Sequence, residues 1–104
     1  MGMSLDERVR SAVAALLHAA GESQTGLAGA LGVSQAQVSR RQSGTAAWSL
    51  ADCDAVAEHY GIDVLDLLAG PTRATEALPA ARRRVPQRQT TAVRPGVVGD
   101  GGAR

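Results

Sequence analysis

The sequence has no lysine and no phenylalanine, and only one cysteine, one tryptophan and one tyrosine in 104 residues. Each absence excludes something. A single Cys53 rules out an internal disulfide and a cluster of thiolate metal ligands. The lack of aromatics leaves Ala, Val, Leu and Ile to build the core, although hydrophobic residues make up 44% of the chain. Ala and Leu favour helices, and β-favouring aromatics are almost missing, so the composition predicts an all-α domain. No apolar run approaches the ~20 residues of a membrane span. The first residues lack the apolar block of a signal peptide, and Asp6 stands where myristoylation wants Ser or Thr. The expected location is the cytoplasm.

Net charge is +1, but its distribution is lopsided. Residues 1–70 hold four arginines against eight acids, or −4; residues 71–104 hold seven arginines against two acids, or +5. An acidic body therefore carries a basic tail.

Helix signals recur along that body. Ser4 and Glu7 form a capping box ahead of Val9, Val13, Leu16, Leu17 and Ala20, with Gly21 as the stop. Ser23 caps a second helix with Leu27, Ala28 and Leu31, ending at Gly32. Ser34 caps a third, through about Gln42, closed by Ser43-Gly44. Thr45 to Trp48 reads as a loop. Ser49 caps a fourth helix with Leu50, Cys53, Val56, Ala57 and Tyr60 on one side, ended by Gly61. Asp63 caps a short fifth with Leu65, Leu67 and Leu68, closed by Gly70-Pro71. Beyond that point, scattered arginines, Gly and Thr and three of the four prolines predict a disordered tail over 71–104, with at most a helical turn near Ala74–Leu78.

The third helix, in "GVSQAQVSRRQSG", is unusually polar. On a wheel of roughly 100° per residue, Gln35, Ala36, Ser39, Arg40 and Ser43 share an arc of roughly 140°. Val38 points the other way, flanked by Arg41 and Gln42. One valine anchors the helix, and the opposite face offers Gln, Ser and Arg around a small Ala. Gln can pair bidentately with adenine, Arg with guanine, and Ala or Ser can lie against a thymine methyl. Gly32 suits the left-handed position of the turn before this helix, and Val33 suits the gap between the second and third helices.

With these segments in order, residues from about 23 to 68 resemble the lambda-repressor-like, Cro-type (XRE) helix-turn-helix family. The resemblance is carried by "SQTGLAGALGVSQAQVSRRQSG" followed by "WSLADCDAVAEHYGIDVLDLLAG". It implies a five-helix DNA-binding domain over 1–70, a phage-repressor-like transcriptional regulator, and a homodimer on double-stranded DNA. It also implies that Gln24 touches the DNA backbone, Gln35 backbone and bases, and Ala36, Ser39 and Arg40 bases. Ser43 and Thr45 then lie near phosphate, with Gln37 at the edge. Four positions depart from the family pattern. Gly26 and Gly29 replace helix formers, Arg41 replaces an aliphatic residue, and Gln42 replaces a common Glu. The Arg41 stem is expected to pack while its head seeks an acid or a phosphate.

The remaining residues point away from catalysis. His18 and His59 lack partners at ligand spacing, so no metal or cofactor site is expected. No carboxylate pair, nucleophile constellation or phosphate loop appears, and neither an enzyme nor a small-molecule substrate is expected. Trp48 is expected to pack on the fourth helix or at a dimer contact, and Cys53 to lie in the core. Between Arg10 and Arg73 the cations are Arg40 and Arg41 alone, while phosphate neutralisation normally supplies much of the affinity for DNA. Tail arginines Arg82, Arg83, Arg84 and Arg88 are therefore expected to add phosphate contacts. The alternative is a protein-interaction module, such as an antitoxin or anti-repressor, whose basic tail folds on a partner; a third reading is a nucleoid binder without sequence preference.

Overall fold

The computed structural model describes residues 2–84. They form six α-helices: α1 (Leu5–Ala20), α2 (Gln24–Leu31), α3 (Gln35–Ser43), α4 (Leu50–Tyr60), α5 (Val64–Leu68) and α6 (Pro71–Ala77). A 3-10 turn, Ala80–Arg82, follows. Among the described residues there is no strand.

The cap residues set the starts of the first five helices. Ser4, Ser23, Ser34, Ser49 and Asp63 each accept a backbone N–H from the first turn of α1 to α5 in order. At α1, α3 and α4 the box is reciprocal, because Glu7, Gln37 and Asp52 accept from the cap's own N–H. The α2–α3 turn runs through Gly32 at φ +74°, and the Val33 N–H bonds the Ala28 carbonyl at 3.0 Å.

The core is built from Val9, Val13 and Leu16 of α1, Leu27 of α2, Val38 of α3, Val56 and Tyr60 of α4, and Leu67 of α5. Val38 is fully buried and is the one buried residue of α3, as the wheel predicts. Val33 packs at the core's edge between the two helices.

Two expectations are corrected. The packed body does not stop at Gly70, and the helices number six, not five. Pro71 reads as a terminator, but at the first helical position its missing N–H costs nothing and its fixed φ suits the helix. Ala74 and Leu78, four residues apart, then bury against the core, and α6 lies along α1. Burial of Leu78 alone is worth about 1.5–3 kcal/mol. The second correction concerns Leu50 and Leu65. Both fit an apolar pattern, yet they are 77% and 70% exposed. No helix is long and apolar enough to cross a membrane, among the described residues.

Candidate nucleic-acid interface

The polar face of α3 stands free of the body. Gln35, Ala36 and Arg40 are exposed and Ser39 is half-buried, while Val38 holds the opposite side. Gln35 Nε2 donates to Gln24 Oε1 at 3.2 Å, which joins the start of α3 to the start of α2. Two side chains expected at a DNA surface thus form one edge. Each amide keeps further donors and acceptors for a base or a phosphate. Arg40 makes no ion pair among the described residues.

The end of α3 gathers a second group. Ser43 Oγ bonds the Arg40 carbonyl at 3.1 Å and lies 3.0 Å from Thr45 Oγ1. Between them Gly44 has φ +86°, and a Cβ there would collide with the Arg10 guanidinium. Glycine takes this left-handed turn without strain and leaves room for that approach. The exposed hydroxyls of Ser43 and Thr45, with Arg10 beside the turn, suit phosphate oxygens.

Gln37 and Arg41 have local duties. The Gln37 side chain accepts the Ser34 N–H at 2.8 Å, completing the cap of α3. Arg41 takes the acid rather than a free position: its Nε donates to Asp52 Oδ2 at 3.0 Å and its Nη1 to the Gln37 carbonyl at 3.1 Å. Its guanidinium carbon also sits 5.7 Å from the Trp48 ring centroid, a cation–π contact. Burial works to raise the Asp52 carboxyl pKa, but the Ser49 N–H and the Arg41 guanidinium outweigh it and hold the pKa below the ordinary value.

Gln42 plays a part that the sequence does not reveal. Its Oε1 accepts the Trp48 indole N–H at 2.9 Å and its Nε2 donates to the Arg10 carbonyl at 3.1 Å. This side chain ties α3 to α1 and to the loop before α4. A glutamate in its place could accept from Trp48 but could not donate to the carbonyl. Trp48 is 8% exposed, so it packs rather than standing out as a stacking platform.

A second network fixes the start of α2. Glu22, one residue before its cap, accepts from the Tyr60 hydroxyl at 2.6 Å and faces His59 Nε2 at 3.0 Å. Burial and the Glu22 carboxylate push the Tyr60 phenol well above its usual range. The pair locks the α1–α2 turn to the end of α4, two residues from Gln24.

The tail arginines divide. Arg82 Nη2 donates to the His59 carbonyl, Arg83 Nη2 to the Thr75 carbonyl, and the Arg84 N–H to the Ala19 carbonyl at 2.9 Å. All three residues remain exposed, at the end of the bundle where α1 and α4 finish. Arg88 lies outside the described residues. Among the described residues, no group of three or more His, Cys, Asp or Glu could hold a metal.

No curated protein and no solved structure matches the chain. A family model does: the BetR domain, a small helical domain of DNA-binding-like character. The match runs over residues 3–98, nearly the whole sequence, and the chain belongs to the BetR domain family.

Proposed function

We propose that this chain is a sequence-specific, DNA-binding transcriptional regulator, a repressor of Cro-type design, that lays α3 in the major groove. The observation that carries this reading is the division of labour on α3. Val38, Arg41 and Gln42 hold the helix to the body, and Gln35, Ala36, Ser39 and Arg40 are left on the other side. A helix that contributes one buried residue and a row of hydrogen-bonding groups is poorly explained by packing alone. Gln35 and Arg40 read base edges, Ala36 and Ser39 admit close approach, and Gln24, Ser43 and Thr45 fix the helix on the phosphates. Gln37 and Arg41 act one step back, by capping and bracing α3. A single copy reads only a few base pairs, so two copies on a near-palindromic site complete the reading.

A second reading has an observation of its own. Residues 1–70 carry −4, and few cations accompany α3. An acidic body with a basic C-terminal segment also fits an interaction module that engages a protein partner. In the first reading, Arg82, Arg83, Arg84 and Arg88 instead supply sequence-independent phosphate contacts.

Selection from a random duplex library, with sequencing of the bound fraction, separates the two. The regulator reading expects an enriched motif that disappears on changing Gln35 and Arg40 to Ala. Recovery of unenriched DNA, bound only at low salt, favours the interaction module.

A further inference from the structure

The chain after α6 turns back across the body as a strap over residues 78–84. Leu78 is buried in the core, Pro79 lies against Gly61 at the end of α4, and Arg84 lies across Gly21 at the end of α1. A Cβ at Gly21 would stand 2.8 Å from Arg84 Cδ, and one at Gly61 would stand 3.6 Å from Pro79 Cγ. The strap also caps both helices. The Arg84 N–H bonds the Ala19 carbonyl at 2.9 Å, and the Arg82 guanidinium donates to the His59 carbonyl. The last carbonyls of a helix lack partners within it, and cations suit that end. Arg83 instead meets the Thr75 carbonyl on α6.

We propose that this strap holds Arg82 and Arg84 in fixed positions at the α1–α2 turn, as a second grip on the DNA backbone beside the α3 site. The proposal rests on the DNA-reading function above and deepens it: it names two of the four tail arginines and the turn from which they act. Gly21, under Arg84, is three residues before Gln24, and Gln24 is bonded to Gln35 at the start of α3. The strap therefore crosses the turn that leads into the reading edge. Ser43, Thr45 and Arg10, the other group suited to phosphate, lie at the far end of α3. The two grips bracket α3, as contacts with the two phosphate rows of one groove do.

The distribution of charge fits a polyanion at this place. Arg10 pairs with Asp6 at 3.7 Å and Arg41 with Asp52 at 3.0 Å, so Arg40 is the one cation of α3 without an ion pair among the described residues. Arg82 and Arg84 likewise make no ion pair with a described residue. Glu22, the acid of the turn they cross, is engaged by Tyr60 and His59. Glu58 and Glu76, on α4 and α6, are exposed and form no ion pair with the strap among the described residues. A guanidinium has five N–H donors, and the cap on His59 occupies one nitrogen of Arg82. Arg84 caps through its backbone, which leaves its guanidinium for phosphate oxygens. Because the strap is folded before DNA arrives, its arginines avoid much of the ordering cost that a loose tail carries.

The test is the salt dependence of binding by the full chain to labelled duplexes, one selected and one scrambled, read by fluorescence anisotropy. Arg82→Gln and Arg84→Gln remove the charges, Arg82→Lys and Arg84→Lys keep them, and Arg94→Gln removes one charge elsewhere in the same tail. Thermal melts confirm that each variant folds. The expected result is that each Gln variant weakens binding to both duplexes by the same factor and lowers the slope of log affinity against log salt by about 0.9. The Lys variants keep the wild-type slope, and Arg94→Gln lowers it less than either strap variant. Folded Gln variants with the wild-type slope overturn the proposal and turn the strap arginines towards an acidic protein partner. An Arg94→Gln slope that falls as far as theirs also overturns it, because the effect then belongs to net charge and not to place. Failure of the DNA reading looks different: no duplex sequence is enriched, while the strap variants still lower the slope on any duplex.

Discussion

Gln35 Nε2 donates to Gln24 Oε1 across the turn between α2 and α3. The two amides are eleven residues apart in sequence, and the turn at Gly32 makes them neighbours. Gln24→Ala is expected to weaken binding about equally to all sequences, because it removes a backbone grip. Gln35→Ala is expected to cost about 1–3 kcal/mol and to relax the preference at one base position. Since the side chains touch, the double variant loses less than the two single losses added. Titrations of matched and mismatched duplexes read all three effects.

Gln42 satisfies two partly buried partners at once, the Trp48 indole N–H and the Arg10 carbonyl. Gln42→Ala leaves both without a protein partner, and a loss of about 1–3 kcal/mol is expected. Chemical denaturation followed by tryptophan emission measures it. Gln42→Glu keeps the indole bond alone and is expected to fall between the two.

Gly29 lies inside α2, and a Cβ added there meets nothing within 4 Å. Gly29→Ala is therefore expected to raise stability by about 0.5–1 kcal/mol, by lowering the entropy of the unfolded chain. Gly26 differs, because its Cβ would come within 3.0 Å of Glu22 Cγ, so part of that gain is lost there. Thermal melts of the two variants check the difference.

The Asp52 carboxyl is more acidic in the folded chain than unfolded. Its contribution is complete at neutral pH and is lost as pH falls below the ordinary aspartate range, about 3.9. The Tyr60 phenol is shifted the other way, so its contribution holds below the ordinary tyrosine range, about 10, and is lost as pH rises above it. Asp52→Asn is expected to flatten the acid limb of a stability–pH curve, and Tyr60→Phe the alkaline limb. Urea midpoints across pH give both slopes.

Leu78 is 3% exposed and belongs to the segment that closes over α1. Leu78→Ala is expected to cost about 2–5 kcal/mol, as for other core leucines. A chain ending at residue 70 is expected to lose cooperative unfolding, which calorimetry detects.

Much of this was legible because it rests on local rules. Ser and Asp caps, glycine stops and a 3.6-residue period are short-range signals, and they place α1 to α5 within a residue or so. The bare polar face of α3 is legible too, since Val38 alone breaks it. α6 is not legible in the sequence because Pro71 signals both an end and a first helical position, and only the Leu78 contact with the body decides between them. The exposure of Leu50 and Leu65 is a tertiary fact, as one apolar stripe can be wider than the core it faces. The side-chain ties of Gln42, Arg41 and Glu22 join residues 6 to 38 apart, and no local pattern announces them.

The central claim is that α3 reads sequence. The direct measurement is the ratio of affinities for a selected duplex and for a scrambled one, at two salt concentrations, for the wild type and for Gln35→Ala with Arg40→Ala. The account predicts a ratio of about 10³ or more that survives the change of salt and collapses towards one in the double variant. A wild-type ratio near one at both salt levels, or a high ratio that the double variant keeps, contradicts it.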